Sequence, residues 1–190
     1  MELTFVTSNR AKWLEAKEIL GAWGIDLKLG KYPMWEPDHG SVDEIANEKL
    51  KQVIELEENV MVDDAGIFFE AYPMFPGVLS KRVFQLLGYK GIQKLLVNES
   101  RKAWFEGAIA VSFQGQQNTF IGRTVGTIGH FDPDLLSDFL DHPYPYDPIF
   151  IPEGKETVLE ELDHEQKLAC SYRRKALVQM AEWILRSDKR

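Results

Sequence analysis

Cysteine is almost missing from this 190-residue chain. Cys170 stands alone, which excludes an intrachain disulfide and any metal site built on a cysteine cluster. Histidine is sparse too: His39, His130, His142 and His164 are scattered, with no His-x3-His or His-Glu-x2-His spacing, and this argues against a zinc hydrolase. No apolar stretch approaches the roughly 18 residues needed to cross a bilayer. The opening MELTFVTSNR has no basic segment followed by an apolar run, so neither a membrane span nor a signal peptide is expected, and a cytoplasmic setting is. Positive charge is the minority sign. Lys and Arg number 22 against 30 Asp and Glu, a net charge of -8, which does not suit a nucleic-acid partner but leaves room for a polyphosphate pocket. Neither a Walker loop nor a Gly-x-Ser-x-Gly elbow occurs. Repeats, low-complexity tracts and Ser/Gly linkers are also absent, so residues 1–190 read as one domain, and the 44% hydrophobic composition is enough to bury a core.

The patterning that is present alternates helix and strand. Leu3 to Val6 reads as a buried strand, followed by a helix from Ala11 to Trp23 with Trp13, Ala16, Leu20 and Trp23 at helical spacing and Gly24 as its stop. A strand is expected over Ile25 to Leu29, a loop over Tyr32 to Gly40, and a helix from Val42 to Glu57 burying Ile45, Leu50, Val53 and Ile54. Val60 to Val62 reads as a short strand ending at Asp63 and Asp64, and Leu79 to Val97 as two helices broken near Gly88. The period then changes to two. Trp104 to Phe113, a turn at Gln114-Gly115-Gln116 and a return over Thr119 to Phe131 make a long hairpin, and a last helix spans Arg173 to Arg186. The class is mixed α/β.

Five clusters bear chemistry. Thr7-Ser8-Asn9-x2-Lys12 lies where the first strand meets the first helix, where free N–H groups and the helix dipole favour an anion; ordinary capping explains the same residues. Asp63-Asp64-Ala65-Gly66 reads either as a turn or as hard-cation ligands of the kind that hold Mg²⁺ on phosphates. The loop with Glu36, Asp38 and His39 is a polar loop or a second carboxylate source for that cation. Pro143-Tyr144-Pro145-Tyr146-Asp147-Pro148 is a stiff aromatic loop, able to stack on a base or to seal the edge of the core. Lys167, Ser171, Tyr172, Arg173 and Arg174 crowd the start of the final helix, an unfavourable place for cations unless something anionic lies near.

In order, these clusters resemble the inosine triphosphate pyrophosphatase family. Thr7-Ser8-Asn9-x2-Lys12 is similar to its Thr-Gly-Asn-x2-Lys, Glu44-x-Ala46-x2-Lys49 to its Glu-Asn-Ala-x2-Lys, and Val62-Asp63-Asp64-Ala65-Gly66 to its Ala-Asp-Asp-Ser-Gly. Phe75-Pro76-Gly77-Val78 follows Ala-Pro-Gly-Val, and Gly122-x-Thr124-x-Gly126-x-Ile128 follows the family hairpin. Tyr146-Asp147-Pro148-Ile149-Phe150 and Lys167-x3-Ser171-Tyr172-Arg173 complete the series.

The resemblance implies a long central mixed sheet, helices forming two lobes around a nucleotide cleft, and a homodimer. It implies hydrolysis of non-standard purine nucleoside triphosphates, such as ITP, dITP and XTP, to the monophosphate and pyrophosphate, with Mg²⁺ as cofactor and metal-activated water attacking the α-phosphorus. By the same resemblance Thr7, Ser8, Asn9 and Lys12 would hold the phosphates, with Lys49 adding charge. Glu36 (or Asp38) with Asp63 and Asp64 would face the metal, and Asp64 would be the base. Ala65 would line the substrate site, Tyr144 would stack on the nucleobase, and Asp147, Lys167, Tyr172 and Arg173 would line its pocket, Arg173 or a backbone N–H facing O6. Three departures stand out: Tyr172 where the family has His, Pro143-Tyr144-Pro145 where it has Gly-Phe-Gly, and Ala65 where it has Ser. They leave the phosphate half intact and point to a shifted base preference. A nucleotide-binding protein without catalysis is the alternative, and a related septum-inhibitor-type enzyme acting on modified pyrimidines is disfavoured by the purine-type motifs.

Overall fold

The structure, a computed structural model, describes residues 1–187. Strand β1 (Glu2–Val6) leads into helix α1 (Arg10–Gly21), whose first turn is capped by the Asn9 side chain accepting from the Ala11 and Lys12 N–H groups. The chain leaves α1 through Gly24 at φ +72, a conformation that glycine adopts without steric cost, and enters β2 (Asp26–Gly30). Helix α2 (Val42–Val53) opens with a complete capping box: the Ser41 hydroxyl accepts from the Glu44 N–H while the Glu44 carboxylate accepts from the Ser41 N–H. It stops at Val53 rather than running on to Glu57 as the sequence suggests. Glu55, Glu57 and Glu58 would oppose the dipole at a helix carboxyl end, and the exposed Leu56 adds no burial to offset them.

Strand β3 (Val60–Phe69) is the main departure from expectation. Asp63-Asp64-Ala65-Gly66 neither ends a short strand nor forms a turn; it lies in the middle of a ten-residue strand. Such a strand tolerates two carboxylates because each meets cations. Farther along, Gly66 accommodates β4 (Pro76–Gly77), since a Cβ there would stand 2.0 Å from the Gly77 carbonyl oxygen. Helix α3 (Ser80–Leu95) is broken at Gly88 as expected, with φ 56 and ψ -171. The hairpin of β5 (Lys102–Phe113) and β6 (Gln116–Ile128) is followed by a 3-10 turn at Pro133–Phe139 and by β7 (Phe150–Pro152). A second 3-10 turn, Leu159–Glu161, precedes α4 (His164–Cys170) and α5 (Tyr172–Ser187). Lys167 therefore belongs to a separate short helix and not to the start of the last one.

Among the described residues the strands form one seven-stranded sheet in the order β2-β1-β3-β5-β6-β7, with β4 on β3. Parallel pairs (β1 with β2 and with β3) and antiparallel pairs (β3 with β4, β6 with β7) coexist, so the sheet is mixed and the fold α/β as expected. Two compact units are distinguishable. The first comprises, among the described residues, Met1–Ala65, Gly107–Gly122 and 172–187, with Leu3, Phe5, Leu20, Ile45, Leu50, Met61 and Leu177 at its core. The second comprises Gly66–Glu106 and Arg123–Ser171 around Phe69, Phe84, Tyr89, Tyr146, Ile149 and Phe150, with Phe84, Tyr89 and Tyr146 meeting edge to face. No helix among the described residues is long and apolar enough to cross a membrane.

Candidate active site

Helices α1 and α2, strand β3 and helix α5 bring their charged residues to one corner of the first unit. Strand alternation sends the two adjacent carboxylates to different partners. Asp63, with its side chain 4% exposed, receives Lys12 Nζ at 3.1 Å and Arg173 Nε at 3.2 Å. Asp64 receives Lys49 Nζ at 2.8 Å. Lys49 does more than pair: it donates to the Asp63 carbonyl at 3.0 Å and also meets the Glu36 carboxylate, so one ammonium joins the 31–40 loop to β3. Asp38 is turned elsewhere, to His39 at 2.9 Å, and both of these side chains are exposed. Between Glu36 and Asp38, the geometry brings Glu36 to the cluster.

At the head of α1 the Asn9 carbonyl oxygen caps Ala11 and Lys12, at 3.0 and 3.1 Å, and the Thr7 hydroxyl accepts from the Asn9 N–H at 3.1 Å. Capping is therefore realised, and it preshapes the turn that carries exposed Ser8 and half-buried Lys12 beside the carboxylates.

Arg173 is placed otherwise than its expected contact with a base O6 would require. Its side chain is 2% exposed, and all three guanidinium nitrogens are engaged, by Asp63, Glu15 and the Tyr172 hydroxyl (2.9 Å). These contacts make it a brace for Asp63. Glu15 went unnoticed in the sequence because its partner lies 158 residues away; the only local signal is its position one turn beyond Lys12. The Tyr172 ring lies under the guanidinium, 5.1 Å from its carbon to the ring centre. Gly107 makes room for it: a Cβ there would meet the ring at 2.6 Å and the Ala65 methyl at 3.3 Å. Gly122 is required by the same helix start, since its Cβ would stand 1.9 Å from the Tyr172 carbonyl oxygen. The Gly-x-Thr-x-Gly hairpin motif thus has a packing meaning, with Thr124 donating to the Cys170 carbonyl and Gly126 lying close to the Ile151 carbonyl.

The electrostatics follow from sharing. Burial opposes every charge here. For Asp63 the neighbouring Lys12, Arg173 and Lys49 outweigh it and hold the carboxyl below its ordinary range. For half-exposed Glu36, burial is again overcome by Lys49 and Lys12. Lys49 is pushed up to about 12, because the attraction of Asp64, Asp63 and Glu36 exceeds its desolvation. Asp64 is pushed up to about 6: its burial, together with the charge of Glu36, outweighs a share of Lys49 and Lys12. One ammonium serves several oxygens, so it gains from all of them while Asp64 gains from only part of it.

Asp64 Oδ2 is buried and has no hydrogen-bond partner. An orphaned carboxylate oxygen beside Glu36 is a hard donor set suited to a divalent cation such as Mg²⁺. No group of three or more His, Cys, Asp or Glu among the described residues forms a ready-made cage.

Tyr144, Asp147 and Lys167 are in the second unit. Tyr144 and Asp147 share a turn, in which the Asp147 N–H donates to the Tyr144 carbonyl at 3.0 Å. Lys167 Nζ lies 3.5 Å from Glu160. Tyr146, in contrast, is a core residue, its hydroxyl donating to the Ser80 carbonyl at 3.0 Å.

Known proteins match this chain over nearly its full length. Residues 3–183 match the model of the Ham1 family. Among curated relatives, a dITP/XTP pyrophosphatase of Methanopyrus kandleri is 39% identical, with 96% of each chain covered. One of Pyrococcus horikoshii is 35% identical, with 97% of each covered. Among solved structures, the Staphylococcus aureus Ham1 protein superposes with a TM-score of 0.70 at 20% identity, over 98% of this chain and 100% of the other. A nucleoside-triphosphatase, or dITP/XTP pyrophosphatase, of Mycobacterium abscessus gives 0.66 at 25% identity, over 95% and 98%. The resemblance carried by the ordered motifs is borne out over their full span, and the chain belongs to the Ham1 family.

Proposed function

We propose that this chain is a nucleoside triphosphate pyrophosphatase that takes dITP, XTP and ITP to the monophosphate and pyrophosphate. The observation that carries the reading is the buried corner where Lys12, one turn from the α1 cap, and Lys49, on α2, lie against Asp63 and Asp64. The names of the relatives support the substrate class. Three cations (Lys12, Lys49, Arg173) already face four carboxylates (Asp63, Asp64, Glu36, Glu15), so an incoming triphosphate needs added positive charge. Asp64 and Glu36 would hold Mg²⁺, with Asp63 adjacent. Once bound, such an ion neutralises phosphate oxygens and acidifies water.

The chain's own residues supply the rest. Thr7, Ser8, Asn9 and Lys12 bind the phosphate tail at the helix amino end, and Lys49 balances charge as pyrophosphate leaves. Asp64, whose buried Oδ2 has no hydrogen-bond partner, accepts the proton of the attacking water. Arg173, held by Glu15, keeps Asp63 oriented. Ala65 and the Tyr172 ring line the substrate site, Tyr144 stacks on the base, and Asp147 and Lys167 read its edge. We further propose that the chain works as one domain, as a homodimer, in the cytoplasm where nucleoside triphosphates are made and damaged.

The test is product analysis. With Mg²⁺, dITP, XTP and ITP should each yield one pyrophosphate per monophosphate, while ATP and GTP turn over far more slowly. Release of single phosphates, or no turnover of any of the five, would overturn the reading. Asp64→Asn should lower kcat for dITP by about 10²- to 10⁴-fold with dITP binding retained; loss of binding with the residual rate per bound complex unchanged would remove Asp64 from the role of base.

A further inference from the structure

We propose that His142 is a positioning residue, whose ring nitrogen grips the backbone of Tyr144 and presets the angle at which that ring meets a nucleobase. The proposal rests on the reading of Tyr144 as the stacking residue. Pro143 and Pro145 flank Tyr144; each has its φ fixed and lacks an N–H, so Tyr144 carries the only backbone donor of the Pro143–Pro145 segment. His142 Nδ1 lies 3.2 Å from that nitrogen and 2.9 Å from the Tyr144 carbonyl oxygen. Bare, Nδ1 accepts from the N–H; protonated, it donates to the carbonyl. Either tautomer holds the same residue. The Glu160 carboxylate stands 3.6 Å from Nε2 on the far side of the ring.

The ring is itself held edge-on. Phe139 packs against His142 at 5.9 Å and 64°, and the Tyr144 ring meets it at 6.5 Å and 61°. Around this clamp the loop is tied to the core: the Tyr89 hydroxyl donates to the Pro145 carbonyl at 2.8 Å, and the Tyr146 hydroxyl donates to Ser80. A stacking ring ordered before the ligand arrives avoids the entropic cost of ordering it during binding. The effect therefore belongs in KM rather than in kcat.

Steady-state hydrolysis of dITP with Mg²⁺ by the full chain, its Tyr144→Ala variant and two His142 variants separates the possibilities. Tyr144→Ala should raise KM about tenfold or more through lost stacking. His142→Phe, which keeps the ring edge and loses the nitrogen, should raise KM about three- to tenfold with kcat within about twofold. His142→Asn, whose amide can accept and donate at the same place, should return KM to within about twofold of the parent. Thermal unfolding of both His142 variants should stay close to the parent, so that a general loosening does not account for the change. Dissociation constants for dITP measured by calorimetry with Ca²⁺ should follow the same order, with no need for turnover. If Tyr144→Ala raises KM and the dissociation constant but His142→Phe moves neither, the clamp is overturned while stacking stands. If Tyr144→Ala moves neither, the stacking reading falls and the inference with it. A parent enzyme that binds dITP in this order of variants without hydrolysing it would overturn the hydrolase reading and support the clamp.

Discussion

The charged corner of the first unit and the aromatic loop of the second hold their functional groups by opposite means. In the corner, ions hold ions. Lys12, Lys49 and Arg173 reach Asp63 and Asp64 across sequence separations of 51, 15 and 110 residues, and removing any partner leaves an uncompensated charge in a buried place. In the loop, neutral groups hold a ring: hydroxyls bond to backbone carbonyls and an imidazole bonds to the Tyr144 backbone, and each such bond has a modest net worth. The corner is consequently rigid but fragile to substitution, whereas the loop loses little at each single break.

The comparison breaks most sharply at Lys49. Lys49→Met should destabilise the protein by about 3–5 kcal/mol, read by urea unfolding, because Asp64 and Glu36 lose their shared cation. A change below about 1 kcal/mol would mean that the corner is wetter than its geometry implies. Arg173→Met should cost somewhat less, about 2–4 kcal/mol, since Lys12 still faces Asp63 and Glu15, its side chain 20% exposed, can turn to water.

Acidity sharpens the contrast next. The folded state holds the Asp64 proton more tightly than the unfolded chain does, so this group's stabilisation is complete below its ordinary value of 3.8 and is lost as pH rises towards about 6. Metal-free protein should therefore lose about 2–3 kcal/mol across that window relative to Asp64→Asn, which removes the opposing slopes of Asp63 and Glu36 from the difference. Added Mg²⁺ should flatten the difference, because an ion on the carboxylate favours its charged form. The smallest effect belongs to the loop: Tyr146→Phe, which deletes the bond to Ser80, should cost about 1 kcal/mol in thermal or urea unfolding.

Much of this architecture was legible from local pattern. Apolar spacing announces α1 and α2, the capping residues before Lys12 mark the start of α1, the odd-even alternation in the sequence of β5 announces the hairpin, and Gly88 announces the break in α3. The length of β3 was hidden because Asp-Asp-Ala-Gly is ordinary turn chemistry in isolation. Only cations delivered from α1, α2 and α5 make it sustainable as a strand. Helix α4 and the 3-10 turn at Pro133–Phe139 bury no residue completely, so they leave no periodic apolar trace. In the candidate site, Lys12, Lys49, Asp63 and Asp64 were visible as ordered motifs. The brace from Glu15 through Arg173 was not, since nothing local marks a pair 158 residues apart.

Lys49 also gives the molecule a built-in reporter. An amine pushed up to about 12 and enclosed among oxygens scarcely ever offers its lone pair, so acylating reagents that modify surface lysines within minutes should reach it last. Its acetylation, followed by mass spectrometry of the intact protein, would time the opening of the contact between β3 and α2 and record how a bound nucleotide slows that breathing.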